Sequence, residues 1–566
     1  MSDDLTSGAA GAANADEADG HAAAWSAEDD WTDESLRLLR DLRAPHRRKR
    51  AGQVAYVLYC VLLLLVVWGA LPSLGLFLQA SMGADYTGYG SGLLAALPSG
   101  ACALGVGCLL LGARDALWRG PVVPPRESVD WLLAQPVRVG RVLRPWLWIT
   151  SSVSAAAGVL AAAIGMVALG LTCRVGLPAA FGWCLVGAAG LPLLAVALGM
   201  GVEHSPRVAA WTRRLTPYAT GLFLALVAQC GLAVAGHRVG WLERAELWSG
   251  PWGWAGLAAL SPTRAAVPGG PVAAGLLLVV VAAAVTAAHR AAGTLPLATV
   301  RQRSRTATGV MTALLTVELR TARQVASGAA GGGRPARFRL PAPRRAWLAV
   351  PWRDALALLR TPGRLGRAVV HAALATLAAV VAAGAHGGTA VGATVVALAF
   401  AYGAVAQVLE PARLETDDTR RGSWSPYPYR SLMLRHAILP GALALLGACG
   451  VCGVTLWLGA GARAFLAPAA VPPLIAAGLV NACRGANRQH LLLSPAQSPT
   501  GSMGPLLFLL WYAAGSLTAL VAMALPFTLA LRHGTAGSVV TAAVMAAVLA
   551  AALLRWTTDR ARSLTA

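Results

Sequence analysis

The sequence predicts an all-α integral membrane protein of about 12 transmembrane helices, set out as two parallel six-helix units, each with an amphipathic lead-in helix. Three observations predict this. The 566-residue chain is 56% hydrophobic and only 13% charged, with a mean hydropathy of +0.59, too apolar for a soluble protein of this length. Apolar segments near the roughly 20 residues needed to cross hydrocarbon alternate with polar loops. Basic residues collect in every second loop: 41 of the 47 Lys and Arg fall on one side, leaving only Arg174, Arg238, Arg244, Arg264, Arg463 and Arg532 on the other. The bias holds without the central linker, at 26 against 6. It puts both termini in the cytoplasm.

Charge and cysteine usage narrow the class further. A net charge of +22 on a soluble chain would suggest nucleic acid. Here the charge flanks apolar spans, where anionic membrane lipid attracts it, so lipids are the expected partner and nucleic acid is not. Lys49 is the only lysine, and Arg with abundant Ala and Gly fits a high-GC bacterial genome, hence a bacterial plasma membrane. The nine cysteines are scattered, mostly inside apolar segments, where they behave as small hydrophobes. Cys449 and Cys452 form a CxxC within a membrane segment and read as packing, not redox or metal chemistry.

The elements follow in order. Residues 1–30 are rich in Ala, Gly, Asp and Glu and form a disordered acidic cytoplasmic tail, with no basic leader before an apolar run. Leu36, Leu39 and Leu42 then repeat at helical spacing between Arg37, Arg40 and Arg43, an amphipathic helix suited to the inner membrane surface. Arg47–Arg50 anchors the first span. The first unit, 31–292, carries spans at 54–79, 92–112, 146–172, 177–201, 218–237 and 271–290. A basic cytoplasmic linker, 293–345, follows; 308–326 reads as a helix and Gly331–Gly333 as a flexible tether. The second unit, 346–566, carries spans at 368–386, 389–409, 437–460, 464–482, 504–531 and 536–556. Two of these are marked by composition: 368–386 is mostly Ala and contains His371, and 464–482 contains Pro468, Pro472 and Pro473.

The units share a grammar. Glu34-Ser-Leu-Arg-Leu-Leu-Arg40 matches Asp354-Ala-Leu-Ala-Leu-Leu-Arg360 in the placement of acid, leucine and arginine. The loop after the second span runs from Pro121 to Pro136 in one half and from Pro411 to Pro426 in the other, the same spacing of 15. Both halves begin inside, which makes a six-plus-six repeat parallel.

Chemistry-bearing motifs are few. No acidic residue lies inside the spans above, which argues against an ion-coupled transporter. The sequence has no GxxxxGK[ST] loop, HExxH, GxSxG or spaced His/Cys cluster. His204, His371, His436 and His490 stand alone and read as packed or interfacial. What remains is the pair of charged loops. In 113–145, Arg126, Glu127 and Asp130 begin a short helix with an apolar face of Val129, Leu132 and Leu133, and Arg138 follows. In 410–437, Glu410, Glu415, Asp417 and Asp418 precede Arg430. Acids contribute little to topology, so two readings stay open: a solvated turn at the headgroups, or a docking surface for a soluble partner anchored by Trp131, Trp424 and Tyr427. On the other side, 238–270 holds Trp241, Trp248, Trp252 and Trp254, either an interfacial hairpin or an outer lid. Gly182, Gly187 and Gly190, and Gly441, Gly447, Gly450 and Gly453, are expected to allow close helix packing.

This layout resembles the ABC-2 type exporter permeases. The resemblance rests on the lead-in helices at 34–43 and 354–360, the charged loop between spans two and three, and the reentrant-looking segment 238–270; it covers about 31 to 560 as two fused units. It implies a fused permease that is not itself an enzyme and carries no cofactor, with ATP and Mg on a separate cytoplasmic ATP-binding cassette subunit. It gives the docking role to Arg126, Glu127, Asp130 and Arg138, and to Glu410, Glu415, Asp417, Asp418 and Arg430. The nearly uncharged spans suit an amphiphilic, lipid-like or peptide cargo. The second half departs from the pattern, with only a short outer turn near Arg532–Gly537. The rival readings are a non-transporting scaffold or sensor, a lipid-acting membrane enzyme built on Asp115, His204 and Glu410, and a secondary transporter.

Overall fold

The computed structural model describes residues 31–42, 86–315, 325, 340–385, 387–417, 425–484, 491, 497–498, 501–502 and 504–564. The tail 1–30, the Arg47–Arg50 cluster, the span 54–79, the tether Gly331–Gly333, Asp418 and Trp424 lie outside the described residues. Within them the chain is helical, apart from a two-residue antiparallel pairing of Gln497–Ser498 with Gly501–Ser502.

A lead-in helix, α1, covers 32–42. Then come α2 (Gly90–Ala116), the short α3 (Arg126–Asp130), α4 (Val139–Cys173), α5 (Leu177–His204), α6 (Pro206–Val234), α7 (Gly240–Trp248), α8 (Pro251–Leu260) and α9 (Gly270–Ala291). The linker contributes α10 (Leu297–Leu315), and the second lead-in helix is α11 (Ala349–Arg360). The rest are α12 (Pro362–Gly384), α13 (Gly387–Val408), α14 (Glu410–Asp417), α15 (Tyr429–Arg435), α16 (Ile438–Trp457), α17 (Leu466–Ala482), α18 (Gly504–Tyr512), α19 (Ala514–His533) and α20 (Ala536–Ser563).

Among the described residues, 11 helices are long and apolar enough to cross a membrane, and they fall on the 11 expected spans that the described residues contain. The chain is a multipass all-α membrane protein. Local chemistry explains where several helices begin. α5, α6, α8, α9 and α12 each start with proline in the first two positions, where the missing N–H costs nothing and the fixed φ suits a helix. Thr535 caps α20 by accepting from the Ser538 N–H at 3.3 Å. The proline-rich segment is helical and is one of these 11: Gly461–Ala482 is the most enclosed of them, with 72% of its apolar window buried. Pro472 and Pro473 lie inside α17, where neighbouring helices surround the backbone they disturb.

Three expectations need correction. The span expected at 504–531 is two helices, because the chain breaks at Ala513 between α18 and α19. The linker helix begins at Leu297, well before the expected 308, and Leu315 is its last described residue. The two glycine series also part company. Gly187 and Gly190 pack against Ala255 and Leu277, but Gly182, Gly441, Gly447, Gly450 and Gly453 face open space. A glycine pattern fixes which face is smooth, not what covers it.

In the first half α2 packs on α5 and α6, and α5 packs on α4 and α9. In the second half α13 packs on α17 and α19, and α17 on α16 and α20. These four pairings recur between the halves, whereas α19 also packs on α20 and α6 does not pack in this way on α9. The halves meet where α12 lies along α6, with Ala373, Leu374 and Leu377 packed against the cluster that contains Leu226 and Val227. On the face opposite the arginine-rich loops, Arg463 lies over Gly534, whose φ of +65° ends α19, and donates to the Arg532 carbonyl at 3.0 Å.

Candidate functional site

The arginine-rich face is built from the two charged loops and the helices that hook onto them. In the first loop, Gly120 turns the chain at φ +75°. A Cβ there would stand 2.5 Å from Glu203 Oε2 and 2.8 Å from Arg303 Nη1, so both conformation and space require glycine. The chain then passes Pro121, Pro124 and Pro125 into α3. α3 stops at Asp130 and a separate 3-10 turn carries Leu132–Ala134, but the expected apolar face is present: Val129 and Leu133 are buried, with Leu132 packed beside them. They share one core with Val122, Met200 and Val300, joining the loop to α5 and to the linker helix α10.

Polar contacts hold the same junction. Glu203 ends the span α5 and is only 3% exposed. Its Oε2 accepts from the Val122 N–H at 3.3 Å, and its Oε1 lies 3.7 Å from Arg303 Nη1. Burial pulls the Arg303 guanidinium below its ordinary pKa, against the attraction of Glu203. Ser304, also buried, donates to the Pro124 carbonyl at 3.1 Å. Asp130 receives Arg126 at 3.1 Å and Arg305 at 4.0 Å. From the other side, Thr32 Oγ1 at the start of α1 accepts from the Arg138 N–H at 2.7 Å, and Asp33 pairs with Arg141.

The second loop is held in the same manner by different residues. Arg353 of α11 donates to Glu415 at 2.7 Å and lies 3.2 Å from His436 Nε2. Arginine has no acceptor, so Nε2 must accept, and Nδ1 carries the proton that it donates to Asp354 at 2.8 Å. Asp354 and His436 are fully buried. Glu410 pairs with Arg364 at 3.6 Å and Arg413 at 3.7 Å.

The nine residues expected to meet a partner therefore divide. Arg126, Glu127, Arg138 and Arg430 are exposed, and Trp131 beside them is 78% exposed. Asp130, Glu410 and Glu415 are taken up by internal ion pairs. Asp417 ends α14. Tyr427 is no free anchor, because the Arg435 guanidinium stacks 3.5 Å above its ring. Asp115 pairs with Arg119, a separate contact from those of Glu410. The expectation of acid-free spans also changes at the ends, since helix α5 continues through Glu203 and α2 through Asp115.

On the opposite face, 238–270 forms a hairpin of two short helices. Its second arm, α8, is inserted among α2, α5 and α9, with Leu257 and Leu260 buried. A Cβ on Gly105 would stand 2.6 Å from Trp252 Cβ, so α2 is smooth where the hairpin crosses it. The four tryptophans split accordingly. Trp241 (73% exposed) and Trp248 lie at the rim, while Trp252 and Trp254 pack into the core. The hairpin is embedded in the bundle instead of lying across its surface. Arg238 clasps Glu243 through two contacts of 3.1 and 2.7 Å. Ser99, buried in α2, donates to Glu246 Oε2 at 2.8 Å. Burial raises the Glu246 pKa above the ordinary carboxylate value, the Ser99 hydrogen bond opposes this and nearby Glu243 adds to it. The second half has no counterpart, because α19 joins α20 through Gly534 and Thr535 alone.

Glu203, Arg303, Ser304 and Asn481 belong to none of the sequence motifs above, and Asp354 is visible there only as the acid of a lead-in helix, not as the partner of His436. A polar group at the end of an apolar run marks Glu203 and Asn481, but their partners are far away in the chain. Asn481 accepts from the Gly515 N–H at 2.8 Å and donates to Tyr402 and Ser516 at 2.8 and 3.1 Å. Among the described residues, no group of three or more His, Cys, Asp or Glu is arranged to hold a metal ion. Compared with known protein families, curated proteins and solved structures, the chain matches none of them.

Proposed function

We propose that this chain is the membrane-spanning permease subunit of an ATP-driven, ABC-type exporter, made of two parallel six-helix units and energised by a separate cytoplasmic ATP-binding subunit. The observation that carries the reading is the repeated hook. In each half the lead-in helix is bonded to the charged loop between the second and third spans, through Thr32 and Asp33 in one and Asp354 in the other. A force applied at either loop then reaches a surface helix and a span together. The recurrent pairing of spans and the inserted hairpin fit the same reading. The excess of arginine on the loop face supports a cytoplasmic position for that face. The exposed Trp131, Arg126 and Glu127 supply an aromatic anchor with a polar rim for docking. The apolar spans suit an amphiphilic, lipid-like or peptide cargo.

One observation favours a rival. Glu410 and Glu415 are spent on internal pairs, as in a static scaffold or sensor. Affinity purification of the intact chain from its native membrane, followed by an ATPase assay, separates the two. The exporter predicts a recovered ATP-binding protein whose hydrolysis responds to the permease. A scaffold predicts no such protein under conditions that keep other transporters whole.

A further inference from the structure

The buried pair Glu203–Arg303 is an unusual joint. Its side chains are 0% and 11% exposed, and the two atoms that face each other, Oε1 and Nη1, have no hydrogen-bond partner. Burying both charges carries a desolvation cost that a 3.7 Å contact without a hydrogen bond repays poorly, and well-packed apolar side chains would hold the same helices at least as firmly. A joint built this way specifies where α10 seats without fixing it strongly. The equivalent place in the second half differs. There Asn481, at the end of α17, satisfies the Gly515 N–H and bonds Ser516 and Tyr402, a neutral staple with its groups paired. The other polar contacts of α10 with the first loop are light, one hydrogen bond from Ser304 to Pro124 and one exposed pair at 4.0 Å between Arg305 and Asp130, and they stand beside the apolar packing of Val300 against Val122, Val129 and Leu133. The connection from α9 to α10 is only Ala292 to Pro296, with Gly293 in it.

We infer that α10 is a reversible latch: seated through Glu203–Arg303, it makes the linker and the first loop one body with the end of α5, and unseated it frees the linker from that loop while the second loop keeps its own anchorage. The two charged loops are thus mechanically inequivalent. The latch is a property of this chain alone and holds whether or not a partner hydrolyses ATP.

The test uses the full chain in lipid vesicles. Ser304 is 2% exposed and Met433, in the second half, is 0% exposed. Ser304→Cys and Met433→Cys are labelled separately with a small maleimide, each read above the parent's native cysteines. The latch predicts that Cys at 304 reacts at least about tenfold faster than Cys at 433, and that Glu203→Gln raises the rate at 304 by a further tenfold or so, leaving 433 unchanged. Glu203→Gln is close in shape, but if it lowers the yield of folded protein, Asp130→Asn at the surface provides the second variant, with an expected rise of about threefold at 304. Equal slow labelling at 304 and 433, or a rate at 304 that neither variant changes, would overturn the inference.

Discussion

Replacing Gly105 with alanine puts a methyl group where the embedded hairpin crosses α2. The new Cβ would stand 2.6 Å from Trp252 Cβ, 2.9 Å from Trp252 Cα and 3.2 Å from Leu191 Cδ1. Carbon atoms rest about 3.5–4.0 Å apart, so the hairpin must retreat by roughly 1 Å. Two of the three obstructing atoms belong to or adjoin the backbone, so no simple rotamer change relieves the clash. Overpacking of this kind costs about 1–3 kcal/mol. Gly92, on the same helix, is the internal control. Nothing lies within 4 Å of its Cβ position, and alanine there should be neutral or gain about 0.5–1 kcal/mol from helix propensity. Thermal unfolding of both variants in the same detergent, with labelling of Trp248→Cys at the rim, reads the effect. Gly105→Ala should unfold at lower temperature and label faster, and Gly92→Ala should do neither. If Gly105→Ala matches the parent in both readouts, the hairpin is not inserted as described.

Three further outcomes are expected. Asn481→Leu removes the acceptor of the buried Gly515 N–H and should destabilise the second half by about 1–3 kcal/mol, seen as a lower unfolding midpoint. His436→Leu leaves Asp354 buried without its donor and should cost about 3 kcal/mol or more, whereas the double change with Asp354→Leu should recover much of the loss; a double variant less stable than the single one contradicts the pairing. Glu246 has a raised pKa in the fold, so the folded state binds its proton more tightly than the unfolded chain does. Its contribution to stability therefore falls as pH rises from its ordinary range, near 4.5, through the raised value, and grows on acidification through the same window. Glu246→Gln should flatten that dependence in a melting series across pH, with the Ser99 hydrogen bond still available to the amide oxygen.

The spans were legible because membrane insertion is written in composition: some 20 apolar residues bounded by arginine describe a helix wherever they occur. The Pro-rich span at 464–482 obeyed that rule against its propensity, since its neighbours enclose α17 on most sides. The hairpin was legible as a Trp, Gly and Pro anomaly, but its depth was not. Insertion depends on Gly105 of α2 and Gly187 of α5 meeting the hairpin, and on the hairpin's own Gly256 meeting Ala101, and nothing in a linear pattern joins those positions. The charged loops were legible as places, and only half legible as chemistry. Glu415 reads the same in sequence whether it faces solvent or Arg353, which is 62 residues away. Glu203 and Arg303 are 100 residues apart and Asp354 and His436 are 82 apart, so these pairs exist only once the chain has folded.

Docking of an ATP-binding subunit is decided by what meets the first loop. A photoreactive amino acid in place of Trp131, the exposed aromatic beside Arg126 and Glu127, is activated in intact cells and its adducts are identified. A permease docked through this loop gives a covalent adduct with a soluble ATP-binding protein, and protection of the same position from a membrane-impermeant label added outside. Adducts to lipid alone, or labelling of position 131 from the outer medium, would contradict it.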